Sequence, residues 1–285
     1  MNILIKRLLI TRPYSWIGII LIGLLSNIAI TKRFILGGDL FWDIFTAHIV
    51  WYVAIFLGEY LHRKIDKRGL TRPTIPLIFS VMLALILFYK NMAALIFLPI
   101  IILADTVYSM KIKNWILSRF SFMFRGILEV SIFLIIAFFH NNYAIYKFIP
   151  LLLIIYLLTN SRNLIGDIRD LKFDRYTFPN RYGVDVSYLV SLGFIIMSIL
   201  LSPNLLVAFP IISIMLLIFL YRNAYILHKI FVISAAFFYM NYIFFILDEN
   251  LILVNILFLA TLLNFTYDLV PRKSNPKKKI YRYQK

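Results

Sequence analysis

Ten long apolar runs follow one another along almost the whole chain, and this succession limits the fold more than any other feature. A helix needs about 20 mostly apolar residues to cross the hydrocarbon of a bilayer. The runs lie at 14–31, 40–61, 75–89, 91–108, 120–140, 146–165, 186–202, 205–221, 227–247 and 250–268. They are too long and too continuous for barrel strands, and a backbone in lipid must satisfy its own hydrogen bonds, so helices are predicted.

The composition agrees with membrane-spanning helices. Hydrophobic residues make up 62% of the chain, and the mean hydropathy is +0.86. This is more apolar surface than the single core of a soluble domain can bury. We therefore predict one all-α domain over 1–285, a polytopic membrane bundle of about nine to ten transmembrane helices that ends in a basic tail at 270–285.

The basic residues predict how the bundle is oriented. The chain has 30 Lys and Arg residues, and with ten spans all but four of them fall on the side that holds both termini. The exceptions are Lys32, Arg33, Lys90 and Lys147. Positive charge collects on the cytoplasmic side of membrane proteins, so both termini are predicted to be cytoplasmic in an integral cell-membrane protein. Orientation and attraction to anionic membrane lipids explain the net charge of +17, so we predict no nucleic-acid partner and no obligate protein partner.

The chain contains no cysteine, which removes several kinds of chemistry. Disulfides, iron–sulfur clusters, thiolate zinc sites and cysteine nucleophiles are all excluded. Any reaction must therefore use carboxylates, basic groups, hydroxyls or a bound metal ion.

The few acidic residues include two groups with the same spacing. The first group follows the second apolar run and consists of Glu59, His62 and Asp66. The second group follows the sixth run and consists of Asp167, Asp170 and Asp174. Both have the spacing i, i+3, i+7, which places a trio on one face if the helix continues.

Carboxylates at a helix C-terminus oppose the negative end of its dipole and repel one another, so a positive partner is expected nearby. Magnesium is a natural candidate because it prefers hard oxygen ligands and bridges carboxylates to phosphates. Ordinary salt bridges in a solvated loop are the alternative. The basic residues available for them are Arg63, Lys64, Arg169, Lys172 and Arg175.

The segment RNLIGDIRDLKFDRYTFPNRYG at 162–183 resembles the second aspartate-rich motif of the UbiA-type intramembrane prenyltransferases, particularly archaeal members. Three further segments resemble family landmarks in the right order: RPYSW at 12–16, TRPTIP at 71–76 and YSMKIK at 108–113. The resemblance covers about 12–247, and the second motif is its specific part.

The first motif departs from the family pattern Asn-Asp-x-x-Asp-x-x-x-Asp. The matching positions here are Gly58, Glu59, His62 and Asp66. Histidine is a poorer magnesium ligand than carboxylate, so the number of bound metal ions is open. The run at 250–268 is a possible extra helix, since the family commonly has nine.

The resemblance implies a magnesium-dependent transfer of an isoprenyl group from a polyprenyl diphosphate to an acceptor in the membrane. An ether-lipid glycerol phosphate is the implied acceptor, and an aromatic quinone precursor is the second choice. The implied magnesium ligands are Glu59, Asp66, Asp167, Asp170 and Asp174. The implied catalytic residues are Asp170, Asp174, Lys111 and Arg72. The implied substrate-binding residues are Tyr108, Lys113, Asp105, Arg175 and His62.

Two rival functions remain open from the sequence. A transporter of similar helix number would carry its acids near midplane, at breaks in the helices of two repeats, whereas the acids here gather at one end. A non-catalytic prenyl-lipid-binding member of the family is favoured only by the altered first motif. Two acids at membrane depth, Asp43 and Glu129, are functional candidates, or hydrogen-bond a neighbouring helix. His48, His140 and His228 lack metal-ligand spacing and are read as structural.

Overall fold

The computed structural model describes residues 16–65, 74–89, 91–111 and 115–269, without the side chains of 62, 63, 65 and 266–269. These residues form α-helices, short 3-10 turns and connecting loops, with no strand among them. The helices are α1 Trp16–Thr31, α2 Gly38–Ile65, α3 Thr74–Phe88, α4 Phe97–Ser109, α5 Ser121–Phe139, α6 Ile149–Arg169, α7 Phe178–Tyr182, α8 Val184–Leu201, α9 Leu205–Leu220, α10 Ala224–Ile246 and α11 Leu251–Leu269. The 3-10 turns Met92–Ile96, Ile116–Phe120 and Ile145–Phe148 lead into α4, α5 and α6.

The all-α bundle predicted from the apolar runs is confirmed, and each run overlaps one of the longer helices. Within the described ranges, six helical stretches are long and apolar enough to cross a membrane: Gly38–Leu61, Met92–Ser109, Ile116–Phe139, Ile145–Arg169, Val184–Leu201 and Ala224–Ile246. Four other apolar helices are shorter, with α1, α3 and α9 among them. The number of membrane crossings, nine or ten, stays a prediction.

Helix α6 lies at the centre of the bundle and packs against α5, α8 and α10. It approaches α5 closely at Gly126. A Cβ on Gly126 would lie 2.7 Å from Asn160 Oδ1 and 2.8 Å from the Tyr156 carbonyl oxygen, so only glycine fits between the two helices. The Gly126 amide donates a hydrogen bond of 2.9 Å to Asn160 Oδ1. This contact fixes how α5 and α6 present their polar side chains to the interior.

The chain turns sharply after the second acidic motif. Helix α7 spans only Phe178–Tyr182, and Gly183 follows it with φ at +93°, a conformation that favours glycine because it has no Cβ. Phe178 packs on Phe122, with ring centroids 5.5 Å apart. The turn therefore folds the motif's C-terminal part back against α5.

The terminal apolar run forms helix α11, which packs on α9 and α10. A cluster of amides joins the three helices. Asn241 Nδ2 donates to Asn255 Oδ1 at 2.8 Å, and both asparagines donate to the Leu206 carbonyl oxygen at 3.0 Å. Phe258 is fully buried between the rings of Phe209 and Phe237. The segment at 250–268 is thus a helix docked on the bundle along its described length.

Candidate active site

A cavity of about 620 Å³ opens beside the end of α6 that carries the second acidic motif. Seven helices and the segment after α4 contribute to its walls. Its polar and charged lining residues are Tyr108, Lys111, Arg125, Glu129, Arg162, Asn163, Asp167, Arg169, Asp170, His228, Lys229 and Tyr239. Its other lining residues are Gly18, Ile19, Ile22, Trp51, Gly166, Val232, Ile233, Ala235, Ala236 and Phe265. Charged and apolar side chains therefore line one and the same cavity.

The Lys111 ammonium forms a short hydrogen bond and ion pair with the Asp167 carboxylate. Both residues are buried, Lys111 at 7% exposure and Asp167 at 1%. Burial alone would lower the pKa of Lys111, but the charge of Asp167, helped by Tyr108 and Asp174, outweighs burial and raises it. The ion pair therefore favours the cationic form of Lys111 at the cavity wall. The second carboxylate oxygen of Asp167 is buried and has no hydrogen-bond partner among the described residues.

The rest of the second motif continues from this pair. Asp170 caps the end of α6, and its carboxylate accepts two hydrogen bonds from Arg169, at 2.5 and 2.9 Å. The Asp174 amide donates to the Asp170 carbonyl oxygen at 3.1 Å. The Tyr176 amide donates to the Lys111 carbonyl oxygen at 3.0 Å, which ties the loop after α6 to the segment after α4. This loop holds both partners of the buried pair in place.

Arg125 forms a second buried cation in the same wall. Its guanidinium donates to Asp105 Oδ1 at 3.1 Å and lies 4.5 Å from the Trp51 ring and 5.4 Å from the Tyr108 ring. The Lys111 ammonium lies 4.0 Å from the centroid of the same Tyr108 ring. The Tyr108 ring is thus close to both the Lys111 ammonium and the Arg125 guanidinium. Cation–π attraction between the ring and these cations stabilises the arrangement.

The first acidic motif approaches this wall through its glycine. A Cβ on Gly58 would lie 3.2 Å from Asp105 Oδ2, so the end of α2 packs against the carboxylate that holds Arg125. Glu59 lies next to it in α2 but does not line the cavity. Gly58 therefore packs against the residue that orients Arg125 in the cavity wall.

Deeper in the bundle, Glu129 organises a third polar group. Its carboxylate receives hydrogen bonds from Arg162 at 2.7 Å, from Thr159, and from the Tyr239 hydroxyl at 3.4 Å. Glu129, Arg162 and Tyr239 all line the cavity, as does Asn163, whose buried side-chain nitrogen has no acceptor among the described residues. Arg162 lies five residues before Asp167 on α6, so this cluster sits about 7–8 Å along the helix axis from the Lys111–Asp167 pair.

No protein-family profile matches the sequence, and no curated protein matches it either. A solved structure of a digeranylgeranylglyceryl phosphate synthase in membranes superposes with a TM-score of 0.63 at 18% identity, covering 87% of this chain and 100% of that one. The chain has the fold of this membrane synthase. A UbiA homolog from Archaeoglobus fulgidus matches with a TM-score of 0.49 at 15% identity, covering 85% of this chain and 99% of that one. The fold implied by the UbiA-type resemblance is confirmed by the match to the membrane synthase.

On this fold, four of the sequence-predicted site residues line the cavity: Tyr108, Lys111, Asp167 and Asp170. Asp105 does not line the cavity itself but accepts a hydrogen bond from Arg125, which does. Asp174 lies in the loop after α6, and Arg175 is exposed there; neither lines the cavity. Three predicted residues, Asp66, Arg72 and Lys113, fall outside the described residues, as does the side chain of His62.

Several cavity residues had no site role in the sequence interpretation: Trp51, Arg125, Arg162, Arg169, Lys229 and Tyr239. His228, read as structural, also lines the cavity; a Cβ on Gly166 would lie 3.4 Å from its ring. A signal for two of them was present in the sequence. Arg125 and Arg162 lie inside apolar runs, where a cation is costly and faces a protein interior or a cavity.

Two residues of the second motif could take part in holding a magnesium ion. Among the residues that the structure describes, no three His, Asp or Glu side chains are grouped so that they could hold a metal ion by themselves. Asp167 and Asp170 do offer hard oxygen ligands to the cavity, and the unpartnered oxygen of Asp167 is the kind of atom that a magnesium ion binds. These two residues would hold an ion that also takes ligands from a substrate.

Asp43 belongs to a different part of the bundle. It accepts hydrogen bonds from Asn27 at 2.8 Å and from His140 at 2.7 Å. Asp43 lies near the start of α2, whereas Gly58 and Glu59 lie near its other end. Of the two acids that the sequence placed at membrane depth, Glu129 therefore reaches the cavity and Asp43 does not.

Proposed function

We propose that this chain is a membrane prenyltransferase that moves an isoprenyl group from a polyprenyl diphosphate to an acceptor. The observation that carries the proposal is the cavity itself, where the Lys111–Asp167 pair and an apolar wall share one chamber. A prenyl diphosphate has this division in one molecule, an anionic head on a hydrocarbon chain. The fold shared with a membrane synthase supports the same assignment.

The diphosphate would bind at the charged end of the cavity. Lys111, Arg125 and Arg169 supply cations there, and all three are already oriented by carboxylates. Cations held in place before the reaction stabilise the charge that develops on a leaving diphosphate, because they need no reorganisation as the carbon–oxygen bond breaks. The surrounding apolar side chains would keep water away from the allylic cation.

Magnesium would be held by Asp167 and Asp170 together with the diphosphate oxygens. When bound, it supplies Lewis-acid stabilisation of the leaving group. Glu59 and Asp174 do not line the cavity, so in this proposal they support the site rather than carry the ion. The charged pairs Lys111–Asp167 and Arg169–Asp170 set the position of the two carboxylates.

The acceptor would use the cluster around Glu129. Glu129 accepts a hydrogen bond from Arg162 at 2.7 Å and so holds the guanidinium in a fixed place at the cavity. Arg162, the unpartnered nitrogen of Asn163 and Lys229 line the same cavity and would offer hydrogen-bond donors to an anionic group. This favours an acceptor that carries a phosphate, such as an ether-lipid glycerol phosphate. An aromatic carboxylate, a quinone precursor, is the second candidate.

The test is the reaction itself. Purified protein in detergent or nanodiscs is incubated with geranylgeranyl diphosphate, magnesium and, in parallel, a glycerol-phosphate ether lipid or 4-hydroxybenzoate, and diphosphate release and product mass are measured. We expect acceptor-dependent release with the phosphate lipid and loss of release with EDTA. The Asp170→Asn variant should be strongly impaired.

Two outcomes would replace the proposal with one of its rivals. Thermal stabilisation by an uncleavable prenyl thiodiphosphate without any turnover would indicate a prenyl-lipid-binding protein, a function that the altered first motif, with Glu59 and His62 in place of aspartates, favours. No stabilisation by the analogue and no turnover would point to a transporter.

A further inference from the structure

His228 of α10 lines the cavity at the end that holds the second acidic motif. Its ring lies against α6 at Gly166, where a Cβ would be 3.4 Å from His228 Cδ2 and 3.6 Å from Nε2. The residue as a whole is half-buried. The imidazole is therefore packed on the backbone of α6 and still reaches the cavity.

The position of this contact along α6 relates His228 to both proposed substrate sites. Gly166 lies next to Asp167 and four residues after Arg162, so Arg162 and Gly166 share one face of the helix and are about 6 Å apart along its axis. In the proposed function the diphosphate binds beside Asp167, and an anionic group of the acceptor binds at Arg162. His228 therefore lies at the level where the allylic carbon of the donor would meet the acceptor.

The charges around His228 favour its neutral form. The guanidinium groups of Arg169 and Arg162 and the carboxylate of Asp170 act on the ring, and Lys229 follows it on α10 and also lines the cavity. Burial and nearby cations both disfavour a positive charge on an imidazole. A neutral imidazole has one nitrogen that can accept a hydrogen bond and then a proton.

The carboxylates that line the cavity are engaged in other contacts. Each is paired with a cation, and two of them would also hold magnesium in the proposed function. The pairs are Glu129 with Arg162, Asp167 with Lys111, and Asp170 with Arg169. The imidazole of His228 is therefore the cavity group that best fits the role of proton acceptor.

We propose that His228 is a catalytic residue, the general base that receives the proton of the acceptor hydroxyl. This inference rests on the proposed prenyltransferase function. The bond between the allylic carbon and the diphosphate oxygen breaks, and its electron pair leaves with the diphosphate. A lone pair of the acceptor hydroxyl oxygen forms the new carbon–oxygen bond, and the proton of that hydroxyl passes to the imidazole.

The surrounding cations do not prevent this transfer. A hydroxyl oxygen that has bonded to an allylic cation carries a positive charge and is a strong acid, so a weakly basic imidazole is sufficient to take its proton. The departing diphosphate also adds negative charge near the ring, and a nearby opposite charge favours the imidazolium form. The base is thus neutral before the reaction and is stabilised as a cation when the proton arrives.

The experiment measures kcat and both KM values with geranylgeranyl diphosphate and a glycerol-phosphate ether lipid. His228→Gln keeps a hydrogen-bonding side chain but takes up no proton, so kcat should fall on the order of 100-fold, a size typical of general-base catalysis, with little change in KM. His228→Ala should lose activity as well, and added imidazole should restore part of it by entering the space left beside Gly166. An uncleavable prenyl thiodiphosphate should stabilise both variants against heat as it does the parent.

His48→Ala is the matched control, because it removes a half-buried histidine that does not line the cavity. His48 Nδ1 donates to the Ile44 carbonyl oxygen at 2.8 Å within α2. This variant should keep the kcat of the parent and show no response to imidazole. An imidazole effect confined to His228→Ala therefore reports on the removed ring at the cavity.

Three outcomes would overturn the base role while the prenyltransferase function stands. These are a kcat of His228→Gln close to that of the parent, a loss in His228→Ala that imidazole does not restore, and loss of stabilisation by the thiodiphosphate at unchanged kcat. The last would make His228 a contact for the donor. If the parent itself releases no diphosphate with any acceptor, the proposed function fails, and the base role fails with it.

Discussion

The Lys111 ammonium and the Asp167 carboxylate form a buried ion pair that joins the segment after α4 to the end of α6. Removing one partner of a buried pair leaves the other charge without compensation, which costs about 3–5 kcal/mol. The pair therefore holds these two parts of the chain together beside the cavity. It also fixes one oxygen of Asp167 and leaves the other for a ligand.

The Lys111→Met substitution should lower both stability and activity. We expect a loss of about 3 kcal/mol in unfolding free energy, because Asp167 is left buried without its cation, and diphosphate release reduced roughly 100-fold, equivalent to about 2.7 kcal/mol of transition-state stabilisation. Thermal unfolding in detergent and steady-state kinetics measure the two effects. Adding Asp167→Asn should recover most of the stability but none of the activity. A double variant as unstable as the single one would contradict the pairing.

The pH dependence of this pair has a definite sign. The folded-state pKa of Lys111 is raised, chiefly by Asp167 acting against burial. Its contribution to stability is therefore complete below the pKa of the unfolded chain, about 10.4, and is lost only as pH rises through the folded-state pKa. The stability difference between parent and Lys111→Met should not shrink between roughly pH 8 and pH 10. Above about pH 10.4 the difference should decrease, because the unfolded chain loses this proton before the folded protein does. A difference that stays constant there, measured by thermal unfolding, would show that the folded-state pKa of Lys111 is not raised.

Arg162 gives a test of the acceptor site that is separate from the donor site. Arg162→Met removes the cation held by Glu129 and should raise KM for the phosphate acceptor on the order of tenfold or more, since a hydrogen bond to a charged group is worth about 1.5–3 kcal/mol. The KM for the prenyl diphosphate should change much less. Arg162→Lys keeps the charge but not the planar guanidinium, so its KM for the phosphate acceptor should lie between those of the parent and of Arg162→Met. Equal effects on both KM values would place Arg162 at the diphosphate instead.

The sequence predicted the helices well because lipid leaves a backbone few choices, and each apolar run overlaps a helix of the structure. Of the site residues that it predicted, Tyr108, Lys111, Asp167 and Asp170 line one cavity, whereas Asp174 of the same motif does not, and their roles stay predictions. It did not identify Arg162 or Tyr239 as cavity residues, since nothing local shows that Glu129 on α5 faces both of them. Partners across helices depend on helix rotation, which a uniformly apolar run does not encode.

Gly126 tests how closely α5 and α6 approach. Gly126→Ala should lower the thermal stability clearly, by an amount typical of overpacking, about 1–3 kcal/mol, because the new Cβ would lie 2.8 Å from the Tyr156 carbonyl oxygen. Gly193→Ala in α8 is the matched control. Its Cβ would meet nothing within 4 Å, so alanine should be neutral or stabilising by up to about 1 kcal/mol. Equal unfolding temperatures for the two variants would show that the helices separate to admit the methyl group.

Asp43 should matter for stability and not for catalysis. One oxygen of its carboxylate, Oδ2, accepts from both Asn27 and His140, so Asp43→Leu would remove the acceptor of both donors, which costs about 1–3 kcal/mol for a buried group left without a partner. His140 lies 15 residues after Arg125 along α5, a distance of about 22 Å by helical rise, so the charged wall of the cavity should be undisturbed. We therefore expect a lower unfolding temperature with kcat/KM close to that of the parent below that temperature. A variant that unfolded normally but lost turnover would bring Asp43 into the reaction and would require a cavity that reaches across the whole bundle.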